Sequence, residues 1–138
     1  MNELNYASLE ASKRLVEAGI VLETEAGWYK IFRPGSHAFD MVLSARSGNE
    51  KFYGDNFPAP SMAEVWRELP ATIPDRGLYA PMKLRKAGDG KTWVSYFRVG
   101  SQIIDSIKAD INPTDTLIDL LIWVRKEADH DSGRGVQK

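Results

Sequence analysis

The chain has no cysteine and only two histidines in 138 residues. Disulfides, thiolate metal sites and cysteine nucleophiles are therefore excluded. It also lacks an excess of either charge: 18 Lys and Arg stand against 19 Asp and Glu, a net charge of −1. Nothing in bulk draws it to nucleic acid or to anionic lipid, so any such binding needs a local patch. Long apolar runs are missing too. The longest strongly apolar run, Leu120–Val124, is far short of the roughly 20 residues of a membrane-spanning helix. Residues Met1–Tyr6 lack a basic segment followed by an apolar one, so no secretory signal is expected.

What is present is an ordinary globular composition, 43% hydrophobic and 27% charged. The length fits one domain with a core of its own. A single domain is expected over residues 1–127, followed by a flexible polar tail over residues 128–138.

The most informative stretch is Asn112–Lys126. Asn112 is placed as an N-cap, Pro113 as the first helical residue, and Asp115 and Asp119 near the positive end of the helix dipole. Leu117, Leu120, Leu121 and Val124 follow helical spacing and form one face. Ile118 and Ile122 extend it on one side and Trp123 on the other. A helix packed on one side needs an apolar stripe of roughly 100° or somewhat more. This belt is wider. The helix is either sandwiched in the domain or shared with another copy of the chain, and Ile118, Ile122 and Trp123 are the candidate interface.

Two more helices are expected. Ser8–Ala18 ends at Gly19, where a left-handed cap belongs. In Pro58–Pro70, Ser61 and Glu64 have capping-box spacing, and Met62, Val65, Trp66 and Leu69 trace the inner side. Ile20–Arg33 suits one long strand or a hairpin turning at Ala26-Gly27. Phe39–Ser44 suits a strand with Phe39, Met41 and Leu43 on one face. Residues 45–57 form an irregular loop whose aromatics either tuck onto the core or serve a function. Leu78–Lys86 and Lys91–Val99 form a hairpin around Ala87-Gly-Asp-Gly90. In it Leu78, Ala80, Met82 and Leu84 face inward with Trp93, Phe97 and Val99. Pro81 places the first strand at an edge or delays its start. Gln102–Ala109 suits a helix slightly better than a strand.

Phe57-Pro-Ala-Pro-Ser61, Glu64, Trp66 and Leu69-Pro70 resemble segments of small uncharacterised proteins encoded by phages and integrated elements of gut bacteria. Asn112-Pro-Thr-Asp115 and Leu117-Ile-Asp-Leu-Leu-Ile-Trp123 are similar to the same group, as is Glu23-Thr-Glu-Ala-Gly-Trp28. The shared segments cover less than a third of the chain. The resemblance implies a mobile-element origin, a compact α+β domain and the cytoplasm of a bacterial host. It supplies no catalytic residue.

Candidates for chemistry are few. Glu23 and Glu25 on one strand face, about 7 Å apart, could hold a cation or form an acid–base pair, but with no third ligand nearby a solvated strand face is the favoured reading. His37 lies near Asp40, and His130 between Asp129 and Asp131, the latter in the expected tail. Gly88-Asp-Gly90 has neither the Lys-Ser/Thr of a phosphate loop nor the acidic spacing of a calcium loop. Lys83, Arg85 and Lys86, with Lys91 and Arg98 across the hairpin, form the one basic cluster. Tyr79 and Tyr96 share its outward face, as single-stranded nucleic acid binding would use; charge protecting an edge strand is the alternative. Trp28, Trp66, Trp93 and Trp123 suit core or interface anchors.

The expected architecture is α+β and two-layer, a mostly antiparallel sheet with about three helices packed on it. The leading functional expectation is a non-enzymatic protein-interaction module, dimerising through the last helix or an exposed sheet edge. The alternatives are a nucleic-acid-associated accessory protein using Tyr79, Lys83, Arg85, Lys91, Tyr96 and Arg98, and a small metal-dependent hydrolase. No catalytic residue, metal ligand or cofactor is assigned.

Overall fold

In a computed structural model the chain is α+β, with three helices and only antiparallel strand pairs among the described residues. The structure describes residues 2–46, 56–75, 78–98, 102–103 and 108–135, and side chains within 2–46, 56–73, 82–96 and 108–127.

After a 3-10 turn at Glu3–Asn5, α1 spans Leu9–Glu17. Ser8 Oγ accepts from Ala11 N–H as the N-cap. At the other end the Ile20 N–H donates to Leu15 O and the Gly19 N–H to Val16 O. That double bond pattern needs a left-handed residue after the helix, and Gly19 supplies φ +75°.

Strands β1 (Ala26–Phe32), β2 (Phe39–Ala45) and β3 (Phe57–Pro58) form a sheet in the order β2-β1-β3. The strand does not begin at Ile20, and Ala26-Gly27 is no turn. Both residues are buried inside β1, where Gly27 faces Ser44 on one side and Pro58 on the other. The turn comes after Phe32, where Gly35 has φ +73°. Of the expected 45–57 loop, residues 47–55 lie outside the described residues, and Phe57 belongs to β3.

Helix α2 (Met62–Glu68) starts with the full capping box of Ser61 and Glu64. Its buried face is centred on Glu64 and Val65, while Trp66 is 47% exposed. Trp66 therefore leaves the expected inner row. The cause is Glu64, whose carboxylate accepts from Ser61 N–H and from Glu25 N–H and so holds that side of the helix inward.

The second sheet runs β4 (Thr72–Asp75), β5 (Leu78–Lys86), β6 (Thr92–Arg98), β7 (Gln102–Ile103), with β8 (Lys108–Asp110) also on β6. Pro81 lies in an inner strand, but at a joint: residues Leu78–Pro81 pair with β4, and the described pairing with β6 starts at Met82. Both described ends of Gln102–Ala109 are strand rather than helix. Ile103 serves a sheet here, as β-branched residues do.

Helix α3 (Pro113–Gly135) is the centre of the molecule. Asn112 Oδ1 caps it, accepting from Thr114 and Asp115 N–H. The helical backbone continues to Gly135. Leu117, Ile118, Leu120 and Leu121 are fully buried. The width of the belt follows from α3 having neighbours on several sides. Thr116 Oγ1 donates to Thr92 O of β6, and Arg125 pairs with Glu68 of α2. Those two positions are about two and a half turns apart, hence on opposite sides of the helix. The core joins α1, α2, α3 and β6 through Leu15, Val65, Leu69, Val94, Tyr96 and the α3 belt. Among the described residues no helix is long and apolar enough to cross a membrane.

Candidate interaction surfaces

The proposed interface residues of α3 divide. Ile118 is fully buried within the chain, so it has no surface to offer a partner. Ile122 and Trp123 are half-buried. They line a groove of about 480 Å³ with Arg14, Glu17, Lys108, Asp119 and Lys126. Arg14 Nε donates to Asp119 Oδ1 across its floor at 3.1 Å. The groove lies between α3, the end of α1 and Lys108 of β8, and its lining is mixed in charge. Nearby, burial lifts the Asp115 carboxyl above the usual carboxylate range, against the pull of its hydrogen bonds with Ser8.

The basic hairpin keeps its charges and loses an aromatic ring. Met82 faces Tyr96 and Leu84 faces Val94 in the register. Val94 and Tyr96 are the β6 residues in the hydrophobic core, so Trp93 belongs to the other face, with buried Ser95 beside it and Arg85 opposite. The expected inward phase of the second strand is thus displaced by one residue, which turns every side chain over. Tyr96, expected to stack on a ligand, is fully buried and donates its hydroxyl to Pro70 O at 2.7 Å. Burial pushes its phenol up to about 12. Lys83, Arg85 and Lys91 are exposed. The side chains of Tyr79 and Arg98, and Val99 altogether, lie outside the described residues.

The acid–base candidates do not converge. Glu23 and Glu25 precede β1, whereas His37 and Asp40 lie at the far end of the β1–β2 hairpin. Seven strand residues at about 3.3 Å each separate the two ends by roughly 23 Å. Asp40 is engaged by Arg33, whose Nε and Nη2 donate to its two oxygens at 3.0 and 2.8 Å. That hydrogen bond holds the Asp40 carboxyl below its usual range. Among the described residues no group of three or more His, Asp or Glu could hold a metal ion. The side chains of Asp129, His130 and Asp131 lie outside them.

The surface that sequence reasoning missed is the β1–β2 hairpin itself. Its base is fixed: Ala26 and Gly27 are buried, Trp28 Nε1 donates to Ala7 O at 2.9 Å, and β3 lies against Gly27 and Trp28. Beyond Trp28 among the described residues, β1 has strand pairing only with β2, and exposure rises toward the tip. Ile31 is 50% exposed, Phe32 62%, Phe39 47% and Val42 38%. Phe32 and Phe39 are paired across the strands and meet edge to face at 6.2 Å. Lys30 Nζ sits 4.1 Å from the Phe39 ring centroid. The hairpin is an arm with apolar residues on both faces. No sequence signal distinguished it, because the same residues suit a covered strand.

Comparison with family models, with curated proteins and with solved structures finds nothing that matches this chain.

Proposed function

We propose that the chain is a non-enzymatic protein-interaction module, of phage or mobile-element origin, and that the β1–β2 arm is its contact surface. One observation carries this reading. Of the ten large apolar residues exposed among the described ones, four (Ile31, Phe32, Phe39 and Val42) lie together on the arm. They fall on its two faces, Phe32 beside Phe39 on one and Ile31 and Val42 on the other; scattered exposed apolar residues need no explanation, whereas several on one hairpin point to an interaction site. The other support is the spread of the acid–base candidates along the arm, which leaves no shared cleft for proton transfer.

Site-specific photo-crosslinking in cells tests the reading. A crosslinker at Phe32 is expected to yield a protein adduct, and one at exposed Leu84 on the other sheet is not. Equal labelling from both positions, or none from Phe32, would refute the arm as the contact surface.

A further inference from the structure

We infer that the partner of the arm is a second copy of this chain, joined strand to strand along the free edge of β2. This rests on the arm being the contact surface and goes further, naming the occupant and the register. Strand β2 lies at the end of its sheet and, among the described residues, pairs only with β1.

The direction of its backbone groups follows from two bonds. The Arg33 N–H donates to Ala38 O at one end of the hairpin, and the Arg46 N–H to Glu25 O at the other. Hydrogen-bonded and non-bonded pairs alternate in an antiparallel ladder. Asp40, Val42 and Ser44 therefore turn their backbone groups toward β1. Phe39, Met41, Leu43 and Ala45 turn theirs outward.

A twofold axis through Val42 pairs two copies of β2 over their whole length. Met41 then meets Leu43 of the other copy, and Phe39 meets Ala45. These are the residues with outward backbone groups, so all four such pairs form hydrogen-bonded rungs, about eight bonds in total. On the opposite face Val42 meets itself and Asp40 meets Ser44. No like charges face each other, and every apolar residue meets another. A one-residue shift of one strand would set outward groups against inward ones and lose the ladder.

The edge also lacks the usual protection. Natural edge strands carry lysine, proline or a bulge to prevent such pairing. Strand β2 has none of these; its single charge, Asp40, is already held by Arg33. Pairing would join the two three-stranded sheets into one and bring each arm tip toward the base of the other arm.

The interface is small. Of the exposed apolar side chains only Phe39 and Val42 lie on β2 itself; at ~200 Å² per aromatic side chain, Phe39 exposes about 90 Å². That is well below the size of a stable interface, so the dimer is weak and held mainly by the backbone ladder.

Sedimentation velocity from about 1 to 500 µM tests it, with thermal melts confirming the fold of each variant. The wild type is expected to pass from 15.5 kDa to twice that mass. Val42→Lys sets two cations together on the axis and is expected to raise the dissociation constant at least tenfold. Exposed Ser44 separates register from mere contact: Ser44→Asp, facing Asp40 of the other copy, is expected to weaken the dimer, and Ser44→Lys to strengthen it. A wild type monomeric at every concentration overturns the self-pairing, as does a dimer indifferent to all three substitutions. Adducts at Phe32 with a foreign protein would still uphold the arm as a contact surface; with no adduct, that reading falls as well.

Discussion

Glu64→Ala is the substitution whose effect follows most directly from the geometry. Glu64 is 9% exposed. Its Oε1 accepts from Ser61 N–H at 2.7 Å and its Oε2 from Glu25 N–H at 3.1 Å. One carboxylate thus closes the capping box of α2 and ties that helix to the segment leading into β1. Alanine leaves both N–H groups without their acceptor. A hydrogen bond to a charged group is worth about 1.5–3 kcal/mol, and a capping interaction about 1 kcal/mol. The full sum is not expected, because removing the charge also removes its desolvation penalty, and Glu25 is exposed enough for water to reach its N–H. A loss of about 2–3 kcal/mol remains, roughly 6–12 °C in Tm for a chain of this length. Glu64→Gln keeps one acceptor and turns an NH2 toward the other donor, so it should recover less than half of that loss. Urea and thermal unfolding followed by circular dichroism measure both. A Glu64→Ala chain within 0.5 kcal/mol of wild type at an unchanged m value would show that the carboxylate does not hold the two elements together.

Further expectations concern the core, the cap and one buried acid. Leu121→Ala removes a fully buried side chain of α3 and should destabilise by about 2–5 kcal/mol in urea, whereas Trp66→Ala, on the exposed side of α2, should cost far less. Gly19→Ala meets no atom within 4 Å but must hold φ +75°, so about 1–2 kcal/mol is expected from the backbone alone. Asp115 binds its proton more tightly when folded. Its contribution to stability is present below the unfolded value near 3.8 and fades as pH rises through the raised folded value. Asp115→Asn, which keeps an oxygen for the Ser8 N–H, should remove that slope, and an unaltered pH profile of unfolding would argue against it.

The parts of the fold legible in the sequence are those decided within a few residues. Ser8 and Gly19, Ser61 and Glu64, and Asn112 and Pro113 each mark a helix end through bonds made inside one turn. The Gly88–Gly90 turn is equally local, with Gly90 at φ +85°. The breadth of the α3 belt was also legible, since it follows from composition at helical spacing. What was not legible depends on distant partners. Strand β6 carries apolar residues in both phases, Trp93 beside Val94 and Tyr96 beside Phe97, so alternation alone cannot choose which set faces α3. The choice is made by the α3 belt packing on Val94 and Tyr96. The arm was hidden for the same reason: Ile31, Phe32, Phe39 and Val42 suit a buried strand, and their exposure follows from what packs against the hairpin rather than from the residues themselves. Trp66 was misplaced because a buried carboxylate, not an apolar side chain, fixes the rotation of α2.

Hydrogen exchange of the α3 backbone as a function of protein concentration is the most direct test of the idea that the belt is satisfied inside one chain and that the arm is the free surface. The amides of Leu117–Val124 should be among the slowest to exchange, at the same rate from nanomolar to hundreds of micromolar protein, while those of Met41 and Leu43 gain protection as concentration rises. Protection of α3 that appears only at high concentration would mean that another copy covers the helix, and the assignment of core and contact surface would be reversed.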